Sequence, residues 1–133
     1  MEVLLNIGEV PLLGRSRFLG LFVKPLLEAL VLVNRLYLRT HHVPPLYRSG
    51  VRYKQEPDNG TPEEFAAIPE VLRRGWGDCD DLAPWRVAEL QEAGERARVR
   101  ITWRRRPNGR RLYHVVVRRG DGRVEDPSRL LGM

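Results

Sequence analysis

A chain of 133 residues, 42% hydrophobic and 30% charged, has the size and make-up of a single soluble domain that can bury a core. Its one cysteine excludes an internal disulfide, and a net charge of +6 with a pI near 10.2 points toward acidic partners or nucleic acid. Residues 18–38 are the most apolar stretch, yet Lys24, Pro25, Glu28, Asn34 and Arg35 interrupt it. A membrane-spanning helix needs about 20 predominantly apolar residues, and no secretory-signal pattern is present, so a soluble protein is expected.

Residues 1–17, with Pro11 and Gly14, read as an irregular lead-in. From Pro25 to about Arg39 the pattern is helical. Pro25 suits a first-turn position, and Leu26, Leu27, Leu30, Val31, Val33 and Leu38 form a broad apolar face. Pro44 and Pro45 stop that helix, and residues 46–60 read as loop or extended chain. Thr61-Pro62-Glu63-Glu64 has the form of a helix start, a capping threonine followed by proline and two acids. That helix is expected to end near Pro69, with a further turn over 70–74. A glycine loop at 75–77 then leads into a helix from about Cys79 to Ala93, stopped by Gly94. Ala83, Val87 and Leu90 fall on its core face; Pro84 is awkward one turn in.

After Gly94 the period becomes two. Val99, Ile101 and Trp103 alternate with polar residues, Asn108-Gly109 signals a two-residue hairpin, and Leu112–Arg118 is the return strand. A turn at Gly120-Asp121-Gly122 leads to Val124–Asp126, completing a three-stranded antiparallel sheet behind the helices. The expected class is α+β, in one domain: a helical extension over 1–50 packed on a core over 51–133. A two-residue hairpin turn places Trp103 opposite His114 and Ile101 opposite Val116. His114 and Val116 then share the face of Val99, Ile101 and Trp103, toward the Cys79 helix. A three-residue second turn centred on Gly120 places Asp126 opposite His114.

Cys79 lies in GWGDCDDLA, His114 in YHVVV and Asp126 in EDPS. Cysteine, histidine and aspartate in that order supply a nucleophile, its base and the base's orienter. An ordinary thiol has a pKa of about 8.5, and a helix N-terminus with a nearby imidazolium favours the thiolate. The Cys79 N–H is then placed to bind an oxyanion. Gly75 and Gly77 leave room for a substrate backbone. Asp78, Asp80 and Asp81 oppose the thiolate; one of Asp78 and Asp80 is expected to cap the helix, with Asp81 on its surface. No downstream acid completes a recognised cation loop, so no metal is assigned. Singly, each residue has a plainer account: a buried small thiol, a core histidine, a turn aspartate. Their joint placement carries the catalytic one.

On these three motifs, residues 53–131 resemble the transglutaminase-like cysteine protease superfamily, of papain-like fold, and in particular its short stand-alone phage and bacterial members. The resemblance implies a Cys79-His114-Asp126 triad that hydrolyses or transfers peptide and amide bonds through an acyl-enzyme, without metal or other cofactor. It further implies a cytoplasmic location, in a host cell, or a virion. Gln55, Tyr53, Trp76 and Gly77 are candidates for the oxyanion and substrate loop, and Pro84 and the short sheet depart from the superfamily pattern.

Two other functions compete. One is a non-catalytic structural or binding module, such as a virion component, that docks or self-associates through the helix at 25–39. The other is a nucleic-acid binder using Arg104, Arg105, Arg106, Arg110 and Arg111, drawn from ten arginines over residues 96–119 that include no acid. Such a basic hairpin is more simply a solvated surface.

Overall fold

The computed structural model describes residues 2–5, 15–55, 63–105, 107 and 111–133. Its elements are β1 (Glu2–Leu5), α1 (Arg15–Thr40), a 3-10 turn at Leu46–Arg48, β2 (Arg52–Tyr53), β3 (Glu63–Ala66) and α2 (Ile68–Arg74). They continue with β4 (Trp76–Gly77), α3 (Cys79–Glu92), β5 (Arg98–Arg105), β6 (Arg111–Arg118), β7 (Val124–Glu125) and α4 (Pro127–Leu130). Helices are thus mixed with three small sheets, in the α+β manner: β1 with β3, β2 with β4, and β5-β6-β7. No helix of the described residues is long and apolar enough to cross a membrane.

Helix α3 runs through the middle of the molecule and is buried on both sides. Ala83, Val87 and Leu90 meet Val23, Leu27, Leu30 and Val31 of α1 and Val99, Val115 and Val117 of the sheet. From the other side Leu82 and Trp85 meet Leu46, Val51, Ile68, Val71 and Leu131. A helix with apolar side chains on two sides is held by enclosing both, while Arg86, Glu89 and Glu92 keep ion pairs at its margins. The region 1–50 therefore supplies much of the packing around α3, through α1, rather than a loosely attached arm.

Three expectations are corrected. Helix α1 begins at Arg15, so Pro25 lies inside it rather than in its first turn, and residues 2–5 form a strand rather than an irregular lead-in. Glu63–Ala66 is a strand, not the continuation of a helix begun at Thr61, which itself lies outside the described residues. Pairing decides that segment: Val3 lies opposite Phe65 and Glu2 opposite Ala66, and Phe65, Ala66 and Ala67 are fully enclosed. Tertiary contacts of this kind override a local helix signal. The helical turn expected over 70–74 is the larger part of α2. Its cap comes from elsewhere: Asn34 of α1 accepts the Ile68 N–H at 3.0 Å.

The hairpin register is also corrected. Trp103 lies opposite Tyr113, Thr102 opposite His114 and Ile101 opposite Val115, with the ladder closing at Arg105–Arg111. Five residues separate the strands, and Asn108-Gly109, the expected two-residue turn, lies outside the described residues. A one-residue slip moves every side chain to the other face. The α3-facing side of the sheet therefore carries Tyr113, Val115 and Val117 beside Val99 and Ile101, while His114 and Val116 share the outer face with Thr102 and Arg100. The second turn also differs. Arg119 N–H donates to Arg123 O at 2.7 Å across a loop of Gly120, Asp121 and Gly122, and Val117 pairs with Glu125. Continuing that register sets Asp126 beside Val116, one pair from the expected place but on the face of His114.

Candidate active site

Cys79 is the first residue of α3 and is partly buried against the α1–sheet core. The chain reaches it through Gly75, whose φ of 79° ends α2 in the left-handed region open to glycine. Gly77 comes next, buried, and a Cβ there would lie 3.1 Å from both Asp81 Cβ and Leu82 Cδ2. The loop is pinned from both sides: Arg52 N–H donates to Gly75 O at 3.1 Å and Lys54 N–H to Gly77 O at 2.9 Å.

His114 is 8% exposed, and its Nε2 lies 2.8 Å from Asp126 Oδ2. Asp126 also caps α4. Its Oδ1 accepts the Ser128 N–H at 3.1 Å and the Arg129 N–H at 3.5 Å. These bonds fix the carboxylate on the imidazole. With Nε2 so engaged, Nδ1 is the ring nitrogen left to exchange a proton with a partner.

Two tyrosines tie the Cys79 turn to the His114–Asp126 side. Tyr113, next to His114, donates its hydroxyl to Asp80 Oδ2 at 2.7 Å, and Asp80 is next to Cys79. Tyr53 lies opposite Gly77, and its N–H donates to Leu131 O at 2.9 Å just past α4. Its phenol is pushed above its ordinary pKa by burial, then by the negative charge of Cys79, Asp78, Asp126 and Asp80. Cys79 and Asp126 thus act electrostatically on one hydroxyl. Tyr113 is the residue that sequence reasoning missed; its signal is the alternation Tyr113-Val115-Val117, hidden by the assumed turn.

Two of the three acids, Asp80 and Asp81, are enclosed rather than displayed, and Asp78 is partly buried. Asp78 caps α3, but Asp81 is 1% exposed and not on the helix surface as expected. It accepts from Arg74 at 2.5 Å, from the Ala66 N–H at 2.7 Å and from the Asp78 N–H at 3.2 Å. Arg74 in turn lies over the Trp76 ring at 3.8 Å. Burial, then the charge of Asp78, raises both Asp80 and Asp81 well above the usual carboxylate range; the Ala66 N–H and Arg74 pull Asp81 back down. Oxygens of Asp78, Asp80 and Asp81 lie within 4.8 Å of one another, close enough to share a cation or a proton. A proton retained by Asp80 and donated to the neighbouring Asp78 would satisfy Oδ1 of each, which otherwise meet no donor among the described residues. It would also lessen the negative charge beside the thiol.

Of the oxyanion candidates, Tyr53 lies nearest this chemistry. Trp76 stacks between Arg74 and Lys54, Gly77 is packed on α3, and Gln55 is exposed. The side chains of Arg104, Arg105, Arg106, Arg110 and Arg111 lie outside the described residues. Comparison of the chain with family models, with curated proteins and with solved structures returns no match.

Proposed function

We propose that the protein is a thiol-dependent amide or peptide hydrolase, or acyl transferase, of transglutaminase-like type, with Cys79 as nucleophile, His114 as base and Asp126 as its orienter. The observation that carries this reading is the 2.8 Å bond between His114 Nε2 and an Asp126 carboxylate already fixed by two α4 amides. A buried histidine needs some hydrogen-bond partner, but a carboxylate held in place by two amides is the kind of partner that a proton-transfer histidine requires. Cys79 adds the second half, at a helix N-terminus where partial positive charge favours a thiolate.

In the reaction, Nδ1 of His114 takes the thiol proton and sulfur attacks the amide carbon. The tetrahedral oxyanion then meets the Cys79 N–H and, on the side of β2, the Tyr53 hydroxyl. Collapse breaks the C–N bond, and the proton returns from Nδ1 to the leaving amine. Water, or a second amine, then attacks the thioester and restores the thiol. Asp126 keeps the imidazole in the tautomer that leaves Nδ1 able to accept.

The hairpin register favours a second reading, a binding module that keeps the fold without the chemistry. His114 stands on the outer face of the sheet, whereas Cys79 packs with the inner one. One experiment separates the two. The rate of Cys79 alkylation by iodoacetamide is followed from pH 4 to 9 in the wild type and in His114→Ala. The enzyme reading expects near-plateau reactivity by pH 6 that reverts, in the variant, toward the ordinary thiol value of about 8.5. Identical profiles in the two proteins would sink the enzyme and leave the module.

A further inference from the structure

Strand β5 is the outermost strand of its sheet, eight residues long, with a ladder only on the β6 side. Among the described residues no other main-chain group bonds to it. Long unpaired edges are normally covered or broken, because they template the addition of another strand. This one instead borders a groove of about 570 Å³ that takes in residues from both faces of the strand. Arg98, Arg100 and Arg118 reach it from the outer face, Ile101 and Trp103 from the inner, and Lys24 from α1.

The groove's charge is one-sided. Among the described residues it is lined by four cations and no acid, and of those cations Arg98 is engaged, with Glu28 at 3.1 Å. Lys24, Arg100 and Arg118 have no ion-pair partner among the described residues. Arg98 and Arg118 lie directly opposite each other, a like-charge cross-strand pair that a bound anion would relieve. Arg98 and Arg100, two residues apart, stand about 7 Å from each other along the strand. That is the spacing of alternate side chains on an extended peptide. Trp103 is 38% exposed at the far end and meets Tyr113 edge to face, with ring centroids 6.1 Å apart.

We propose that the free edge of β5 docks an extended acidic peptide, which joins the sheet as a fourth strand and sets its carboxylates on Arg98, Arg100 and Arg118. Main-chain bonds to the edge supply affinity and the arginines supply specificity, the pattern of strand addition. A peptide is favoured over nucleic acid because the groove is bounded by an unpaired peptide edge, whose alternating N–H and C=O groups match another peptide. Docking does not depend on chemistry at Cys79.

The test uses the full chain and a fluorescein-labelled octapeptide of alternating glutamate and valine, read by anisotropy in low salt. Saturable binding is expected, retained in Cys79→Ala and weakened severalfold in Arg100→Gln, which removes one of the seating cations. It should weaken by at least about tenfold when Arg100→Glu and Arg118→Glu are combined, with unchanged far-UV circular dichroism as the fold control. N-methylating alternate peptide amides should cost about tenfold for one of the two alternating sets and little for the other, because only one set faces the edge. Equal binding by a lysine–valine peptide, indifference to both methylation sets, or no binding at all overturns the proposal. So does an oligothymidylate of equal charge that displaces the peptide, which would assign the groove to nucleic acid instead. Loss of thiol reactivity with binding intact would defeat the enzyme reading alone.

Discussion

At the start of α3, Asp80 and Asp81 are buried beside a partly buried capping Asp78; at the start of α4, Asp126 does the same capping work at a half-buried position facing a histidine. Asp80 and Asp81 are raised in pKa by burial and by the charge of Asp78; Tyr113 donates to Asp80, and Arg74 and main-chain amides donate to Asp81. Asp126 has two amides on one oxygen and His114 on the other. Helix capping by aspartate is thus put to two uses. In α3 it locks a structural centre that joins α2, β3 and β6, and in α4 it holds a histidine.

If the α3 cluster is structural, its loss is the largest effect. Asp81→Ala takes the carboxylate away from Arg74, whose side chain is only 9% exposed, and the acceptor away from the Ala66 N–H of β3. Removing one member of a buried charged pair costs about 3–5 kcal/mol. Urea unfolding should record that drop, and a loss under about 1 kcal/mol, the range of an exposed pair, would mean the cluster is not the joint described here.

Protonation sharpens the contrast next. Asp80 titrates well above its unfolded value, so between the two values the native chain holds a proton that the unfolded chain has lost. Its stabilising effect is full below about pH 4 and falls away as pH rises toward the folded pKa, by up to about 1.4 kcal/mol per pH unit. Glu95 behaves oppositely. The Arg119 guanidinium holds it at about 2, so its contribution is present above the ordinary glutamate range and is lost as pH falls toward 2. Stability measured upward from about pH 4 should therefore decline in the wild type and decline less steeply in Asp80→Asn, where Asp81 still holds its raised pKa. An unchanged slope would place the retained proton elsewhere.

The same division marks what could be read from the chain. The α3 start was legible because glycine, aspartate and an apolar run are local signals, and Cys79 falls where they place it. The pairing of His114 with Asp126 was legible as an order of residues, although the hairpin loop holds five residues rather than two and the second turn, three residues long as expected, centres on Asp121 rather than Gly120. Register was not legible. It is set by which of Tyr113 and His114 packs inward, and burial of Val115 and Val117 on α1 and α3 decided for Tyr113. Strand β3 was hidden for a similar reason, since its partner lies some sixty residues earlier. Nor does local pattern reveal that Asp81 turns inward, because Arg74 becomes its counter-ion only after α2 and α3 have packed.

The smallest change asks the most of Asp126. Replacing it by asparagine keeps the size of the side chain but leaves one acceptor oxygen for two tasks. If that oxygen stays on the Ser128 and Arg129 amides, the NH2 group faces His114 Nε2 and forces the ring proton onto Nδ1. Nδ1 can then no longer take the thiol proton, and the alkylation profile should move toward that of an ordinary thiol with stability unchanged. If the oxygen turns to accept from Nε2–H instead, the cap is lost at about 1 kcal/mol and the reactive thiol survives. A protein that keeps both its stability and its profile after Asp126→Asn would show that the carboxylate's second charge-bearing oxygen does nothing for His114.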